Sequence, residues 1–324
     1  MKKGIISIFF LLLLALFSGC SLFSSTDPDF SREQYDKWYE QGKFDEAANY
    51  IEERLEKYPE DPYLYNEKGY MLNMQEQYEE ALKALDEAIE LDDKLDNAYT
   101  NQALSYNELG EYEKAIIAAQ KAIDISDQEP EQFINMGNAH FGLERDENAI
   151  EYYDKALEIE PDTPYALYGK GVALYFLEEF EKSIENLNKY IEADPTDKDA
   201  LWYLVYAADS LGEYHATIPY LDQLIELNTD QQLDAIDYKG LMLAYNGDFE
   251  ESEDVYDTII DQFNTEAIGY YGKGVALVLQ GDTDEGLKQL SSAIQINPEL
   301  KDTAYSDPLF ASVYDDETFI ELTE

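Results

Sequence analysis

The chain of 324 residues holds a single cysteine, Cys20, which excludes an internal disulfide and any zinc site built on several thiolates. Basic residues are scarce as well: 22 Lys and Arg stand against 71 Asp and Glu, a formal charge of −49. Nucleic acid and anionic lipid surfaces are bound through clustered Lys and Arg, so neither is an expected partner of the folded chain. The two histidines, His140 and His215, lie in different parts of the chain with no metal-ligand or triad setting around them. There is no Gly-rich phosphate loop, and DPDFSRE from Asp27 lacks the central Gly of a calcium loop. No catalytic residue, no metal site and no cofactor is expected. Long apolar runs are missing except for one, Ile5 to Phe17, which at about a dozen residues falls short of the roughly 20 that a spanning helix needs. Disorder is excluded by what is present: 45% of residues are hydrophobic, 14% are aromatic, and Tyr alone contributes 28.

The apolar run follows Lys2 and Lys3 and leads into Ser18-Gly19-Cys20-Ser21, the order of a basic region, an apolar region and a small-residue cleavage site. This segment resembles a bacterial lipoprotein signal peptide. The resemblance implies that Cys20 receives a diacylglyceryl group, that the chain is cut before it, and that residues 20–27 form a tether. Removal of residues 1–19 takes away Lys2 and Lys3 and moves the charge from −49 to −51. It also implies export and lipid anchoring, including palmitate, at the outer face of the cell membrane, or at the outer membrane of a cell with two, since Ser21 stands where Asp would retain it.

Along the rest of the chain one pattern returns. Small residues at Ala47, Ala81, Ala115, Ala149, Ser183, Thr217, Ser252 and Gly286 are 34 residues apart, with one step of 35. Gly69, Ala103, Gly137, Gly171, Val205, Gly240 and Gly274 form a second column, and Phe44, Tyr78, Tyr112, Asp146, Phe180, Tyr214, Phe249 and Thr283 a third. Such a period marks a stacked repeat. Each copy has two stretches with apolar residues at i, i+3, i+4 and i+7, split by a polar turn such as LGEY at Leu109, so the unit is a helical hairpin. Prolines at Pro59, Pro161, Pro195 and Pro298 mark helix exits. The Gly and Ala columns are expected where two helices approach closely.

These columns resemble the tetratricopeptide repeat. The resemblance covers residues 28–300 as copies 28–61, 62–95, 96–129, 130–163, 164–197, 198–232, 233–266 and 267–300. The first is degenerate, with Tyr35 at a small-residue position; the sixth is too, with Val205 in the Gly column and one extra residue near Asn228. It implies an all-α right-handed superhelix of about eight hairpins. Residues 301–324 resemble a capping segment: Asp307-Pro308 reads as a helix start, and Asp315 to Leu322 as a last helix with Phe319 on the core.

In this family the first helices line a concave surface that binds partners. Here that face is expected to carry Tyr165, Tyr168 and Tyr175 in the fifth copy, with Asp199, Trp202, Tyr206 and Asp209 in the sixth and Asp234, Asp237 and Tyr245 in the seventh. Tyr63, Asn66, Tyr70 and Asn73 hold corresponding places further forward. His140 is expected in the core and His215 at the surface. Aromatic anchors beside carboxylates favour a protein or peptide of basic character. The reading is a membrane-anchored lipoprotein that acts as a protein-interaction scaffold in the cell envelope. The second reading is a receptor for carbohydrate or small solutes that stack on the Tyr and Trp rings.

Overall fold

The structure, a computed structural model, describes residue 27, residues 30–262 and residues 267–324. The expected signal segment, Cys20 and most of the expected tether lie outside the described residues. In chain order the helices are α1 (Arg32–Glu40), α2 (Phe44–Lys57), α3 (Pro62–Met74), α4 (Tyr78–Leu91), α5 (Asp96–Glu108), α6 (Tyr112–Ile125), α7 (Pro130–Gly142), α8 (Asp146–Ile159) and α9 (Pro164–Phe176). They continue with α10 (Phe180–Ala193), α11 (Lys198–Ser210), α12 (Tyr214–Glu226), α13 (Gln232–Asn246), α14 (Phe249–Gln262), α15 (Ala267–Gln280) and α16 (Thr283–Ile296). After α17 (Leu300–Ser306) come a 3₁₀ segment at Pro308–Val313 and α18 (Glu317–Thr323). The described residues contain no strand, so the fold is all-α. The chain divides into two units, one up to Leu177 and one from Glu178.

The three sequence columns have distinct structural meanings. The third column supplies the first residue of every second helix, from Phe44 of α2 to Thr283 of α16. In the first column, the seven residues from Ala47 to Ser252 are fully buried. Four residues further on, Ile51, Leu85, Ala119, Tyr153, Leu187, Leu221, Tyr256 and Leu290 are each at most 1% exposed. The glycines of the second column do not all serve close backbone approach. At Gly274 they do, since an added Cβ would lie 3.0 Å from the carbonyl of Gly286. At Gly69, Gly137 and Gly240 the space is filled instead by Leu85, Tyr153 and Tyr256 from the following helix. Tyr153 lies in a slot between Gly137 of α7 and Gly169 of α9, where Cβ atoms would come within 2.6 and 2.5 Å of the ring. Tyr256 is held in the same way between Gly240 of α13 and Gly272 of α15. Tyr35, which stands at a small-residue position, is 1% exposed and packs with Ile51, Leu55, Leu64 and Met71.

Between a first and a second helix the chain reverses through Gly42, Glu76, Gly110, Glu144, Glu178, Gly212, Gly247 or Gly281, with φ between 57° and 97°. Three of these are Glu, for which a left-handed backbone costs about 1–2 kcal/mol. The extra residue of the sixth copy falls in the turn after α12, where Asn228 also adopts a positive φ of 49°.

Lysines join successive hairpins. Lys68 pairs with Glu52, Lys170 with Asp154, Lys239 with Asp222 and Lys273 with Asp257, each at 2.6 Å and each from a first helix to the second helix before it.

At the N-terminal end Asp27 is 4% exposed, and both of its carboxylate oxygens accept hydrogen bonds from Arg54. Phe30 follows with its ring stacked on Tyr50 and edge-on to Tyr63. Asp27, expected to close the tether, is thus built into the first unit. At the other end Phe310, Val313 and Phe319 pack on Val275, Val278, Leu290 and Ile294, which covers the last hairpin. Asp307 caps the 3₁₀ segment by accepting from the Leu309 amide at 3.0 Å, and Asp316 caps α18.

Two substitutions test these constraints by chemical denaturation. Glu144→Gly should stabilise the protein by about 0.5–1 kcal/mol, the left-handed penalty less the backbone entropy of Gly. Gly240→Ala should cost about 1–3 kcal/mol, because the Tyr256 ring has no room to yield.

Candidate functional site

In the second unit, α11 and α13 bring three of the expected residues, Trp202, Tyr206 and Asp209, together around one residue that sequence reading overlooked, Tyr238. Trp202 stacks on Tyr206 with ring centroids 5.3 Å apart, and Tyr238 meets both edge-on at 5.9 and 6.0 Å. The Tyr238 hydroxyl donates to Asp209 at 2.5 Å, and the Trp202 indole N–H donates to Gln231 at 2.9 Å. Trp202 is only 9% exposed and packs with Leu201, Val205 and Leu221. Expected as an open anchor, it is a floor to the site, because its bulk fills the space between first helices. Tyr206 and Tyr245 are the open rings, each 38% exposed. Tyr245 stacks on Tyr214 at 5.1 Å.

The cap extends this face. Tyr271 of α15 donates its hydroxyl to Asp307 at 2.6 Å, and Tyr314 donates to the Asp307 carbonyl, also at 2.6 Å. Burial lifts the Tyr245 phenol, and the charges of Tyr214, Asp209 and Asp307 lift it further. A signal for Tyr271 was present in the sequence, since it shares a column with Trp202 and Asp237. Tyr238 is four residues after Asp234, hence on the same face.

Carboxylates crowd this face with few cations to offset them. The second unit has no arginine and seven lysines, Lys182, Lys189, Lys198, Lys239, Lys273, Lys288 and Lys301. Six of them pair with Glu179, Glu185, Asp230, Asp222, Asp257 and Glu285 rather than with Asp209, Asp234, Asp237 or Asp307. Burial, with the charge of Asp234 beside it, pushes the Asp237 carboxyl up to about 7. Asp199 and Asp234 are exposed.

In the first unit, Tyr165, Tyr168 and Tyr175 of α9 are all half-buried. Tyr165 packs against the cluster of Phe133, Tyr153 and Ala166, and Tyr175 meets Phe176 edge-on at 5.6 Å. Asn66 and Asn73, expected at the open face, are 3% and 2% exposed. They lie between α3 and α5: Asn101 donates to the Asn66 side chain at 2.9 Å, Asn73 donates to the Asn101 carbonyl at 3.0 Å, and Ser105 donates to Asn73 at 2.6 Å. His140, expected in the core, is half-buried and stacked on Tyr152 at 5.2 Å, and burial lowers its pKa. His215 is exposed. Among the described residues no three His, Cys, Asp or Glu side chains are grouped as a metal site, and no helix is long and apolar enough to cross a membrane.

Models of the tetratricopeptide repeat match residues 39–96, 75–130, 130–163, 164–197 and 239–300. The chain belongs to the tetratricopeptide-repeat family. No curated protein matches it. Among solved structures, this tetratricopeptide chain is similar to a protein described as Pseudomonas aeruginosa pilF, with 14% identity and a TM-score of 0.52 over 64% of this chain and 94% of that one. It is also similar to a chain of the APC/C hetero-tetramer Cut9-Hcn1, with 14% identity and a TM-score of 0.55 over 92% of this chain and 50% of that one. Both likenesses are of fold. YrrB, described as a TPR protein with an unusual peptide-binding site, shares 26% identity over 56% of this chain and 93% of its own, with a TM-score of 0.47. Sixth-copy residues 198–232, called degenerate above, fall in the gap between the matched segments.

The raised Asp237 pKa makes a pH prediction for this tetratricopeptide protein. The folded state holds the proton more tightly than the unfolded chain, whose Asp titrates near 3.9. Stability from this group is therefore full below about pH 4 and is lost as pH rises through about 7. Denaturation midpoints should fall between about pH 4 and 7, and Asp237→Asn should flatten that fall. An unchanged slope in the variant would show that Asp237 does not carry the effect.

Proposed function

We propose that the protein is a lipid-anchored interaction scaffold of the bacterial cell envelope, held at a membrane through Cys20, which docks a protein segment on the first-helix face of its second unit. The observation that carries the docking is the pair of open rings, Tyr206 and Tyr245, set among carboxylates that no lysine of the unit neutralises. Aromatic rings lose little side-chain entropy on binding and are enriched among the residues that carry most of the binding energy at protein interfaces, while uncompensated carboxylates select a basic partner. The anchor rests on the order of basic, apolar and small residues before Cys20. More than one acyl chain would hold the protein stably, at about 0.8 kcal/mol per buried CH₂. A sugar receptor has less support, because Trp202, its main stacking surface, is buried and bonded to Gln231.

Crosslinking capture of the full-length protein from its own cells tests the docking. A specific protein should be retained by the native chain and lost by Tyr206→Ala/Tyr245→Ala, a variant that leaves the Trp202 floor in place. If both forms capture the same proteins, the docking face lies elsewhere. The anchor is tested by feeding cells an alkyne fatty acid: the label should appear on the native chain and vanish in Cys20→Ala, with release of the protein from membranes. Equal labelling of the two would remove Cys20 as the lipid site.

A further inference from the structure

We propose that a notch between α5 and α6, in the first unit, docks an aromatic side chain with a carboxylate beside it from a segment of another protein. This goes beyond the scaffold reading, whose docking face belongs to the second unit.

The notch has a volume of about 250 Å³, and its walls include Tyr99, Tyr106, Lys114, Ile117, Ala118 and Lys121. A cavity of about 150 Å³ lined by apolar side chains is enough to hold a benzene ring. Tyr99 and Tyr106 are half-buried and Ala118 is buried, whereas Ile117 is 64% exposed. In the other copies the position of Ile117 holds Asn, Lys, Glu, Pro or Asp, never another aliphatic residue.

The fourth copy fills the equivalent place with its own side chain. One period on, Ala118 becomes Tyr152, Tyr106 becomes His140, Lys121 becomes Lys155 and Ile117 becomes Glu151. The Tyr152 ring stacks on His140 with centroids 5.2 Å apart and planes 9° from parallel, and the Lys155 ammonium lies 4.4 Å from the centre of the Tyr152 ring. Glu151 pairs with Lys155 at 2.7 Å. A ring, an ammonium over it and a carboxylate for that ammonium form one set there. The third copy keeps the ammonium and lacks the other two. Ala118 offers no ring, Ile117 holds the place of the acid, and Lys121 forms no ion pair among the described residues. A partner that brings an aromatic ring and a neighbouring carboxylate completes the set.

Charge favours the same occupant. Lys114 and Lys121 place two ammonium groups at the rim, in a chain where 71 acids face 22 bases. Lys114 lies 5.3 Å from the centre of the Tyr106 ring and pairs with the exposed Glu111, a contact weak enough to leave it available. A ring set against Tyr106 meets it edge-on or offset, and the ammonium groups attract both its π face and the adjoining carboxylate. A protein segment is favoured over a free aromatic acid because Ile117 gains burial only from an occupant that continues past the ring.

Isothermal titration calorimetry of the full-length protein in detergent, with the peptide acetyl-Ser-Glu-Tyr-Glu-Ser-amide, tests the notch. Protein and peptide are both acidic, so long-range attraction does not draw them together and binding reports local contacts. Ile117→Glu restores the acid of the fourth copy at an exposed position; it gives Lys121 a partner of its own and removes the apolar wall. Lys121→Gln removes the ammonium. Each should weaken binding about tenfold, whereas Lys83→Gln, an exposed lysine of α4 outside the notch, should change it about twofold or less. The ring-free peptide acetyl-Ser-Glu-Ala-Glu-Ser-amide and the single residue N-acetyltyrosine should both bind far more weakly. No binding by the native protein, native affinity in Ile117→Glu or Lys121→Gln, equal loss in Lys83→Gln, or equal binding of either control ligand overturns the notch as a docking site. Tyr206→Ala/Tyr245→Ala separates the two surfaces. It should bind the peptide as the native chain does, and loss of binding there would assign the peptide to the second unit and refute the notch. Failure of the notch would leave the capture experiment on the second unit, and the scaffold reading with it, unaffected.

Discussion

Each unit depends on the side chain at the centre of every second helix. A single hairpin has an apolar face that it cannot cover by itself, so its stability is borrowed from the neighbour stacked on it. The buried series from Ile51 to Leu290 is where that cover is made. Each large apolar member contributes on the order of 1.5–3 kcal/mol through burial. The two tyrosines of the series, Tyr153 and Tyr256, are too long for an ordinary joint. Glycines on both flanking first helices, Gly137 with Gly169 and Gly240 with Gly272, clear a slot for them. Side chain and slot have to be read together, since either alone would leave a clash or a void.

Stacking of this kind also determines where charge can go. The lysines that bridge successive hairpins lie at partly exposed positions, where an ion pair is worth at most about 1 kcal/mol. Their importance to function lies in their placement. With few cations available and most engaged along the joints or within second helices, the first-helix face of the second unit keeps its carboxylates. The tyrosine hydroxyls that hold Asp209 and Asp307 make those acids part of an ordered surface. Asp237 shows the cost of this crowding, since burial near Asp234 opposes its ionisation. A basic partner would relieve what the unit leaves uncompensated.

Much of the fold was legible because it is periodic. The residue that begins each second helix, the buried small residues, the Asp307-Pro308 start and the burial of Phe319 all followed from spacing and local capping rules. The candidate face was less legible. Asn66 and Asn73 have polar side chains at helix-face positions that look open, yet they bond across to Asn101 and Ser105 and are buried there. Trp202 likewise occupies an inward column and is closed off by Tyr206 and Tyr238. Glu76, Glu144 and Glu178 adopt left-handed turns that their residue type argues against, because the hairpin geometry demands that conformation at the position.

The sequence by itself determined that this is an all-α repeat protein, because a period of 34 residues repeats the same packing problem and helical spacing states which face solves it. It also carried the lipoprotein-like order of residues before Cys20. Only the tertiary structure decided which aromatic rings are floor and which are open, which acids lack a lysine, and that the cap brings Asp307 to Tyr271 of α15. The physical reason is that exposure and charge compensation depend on side chains tens of residues apart in the chain, and no local pattern records which of them meet.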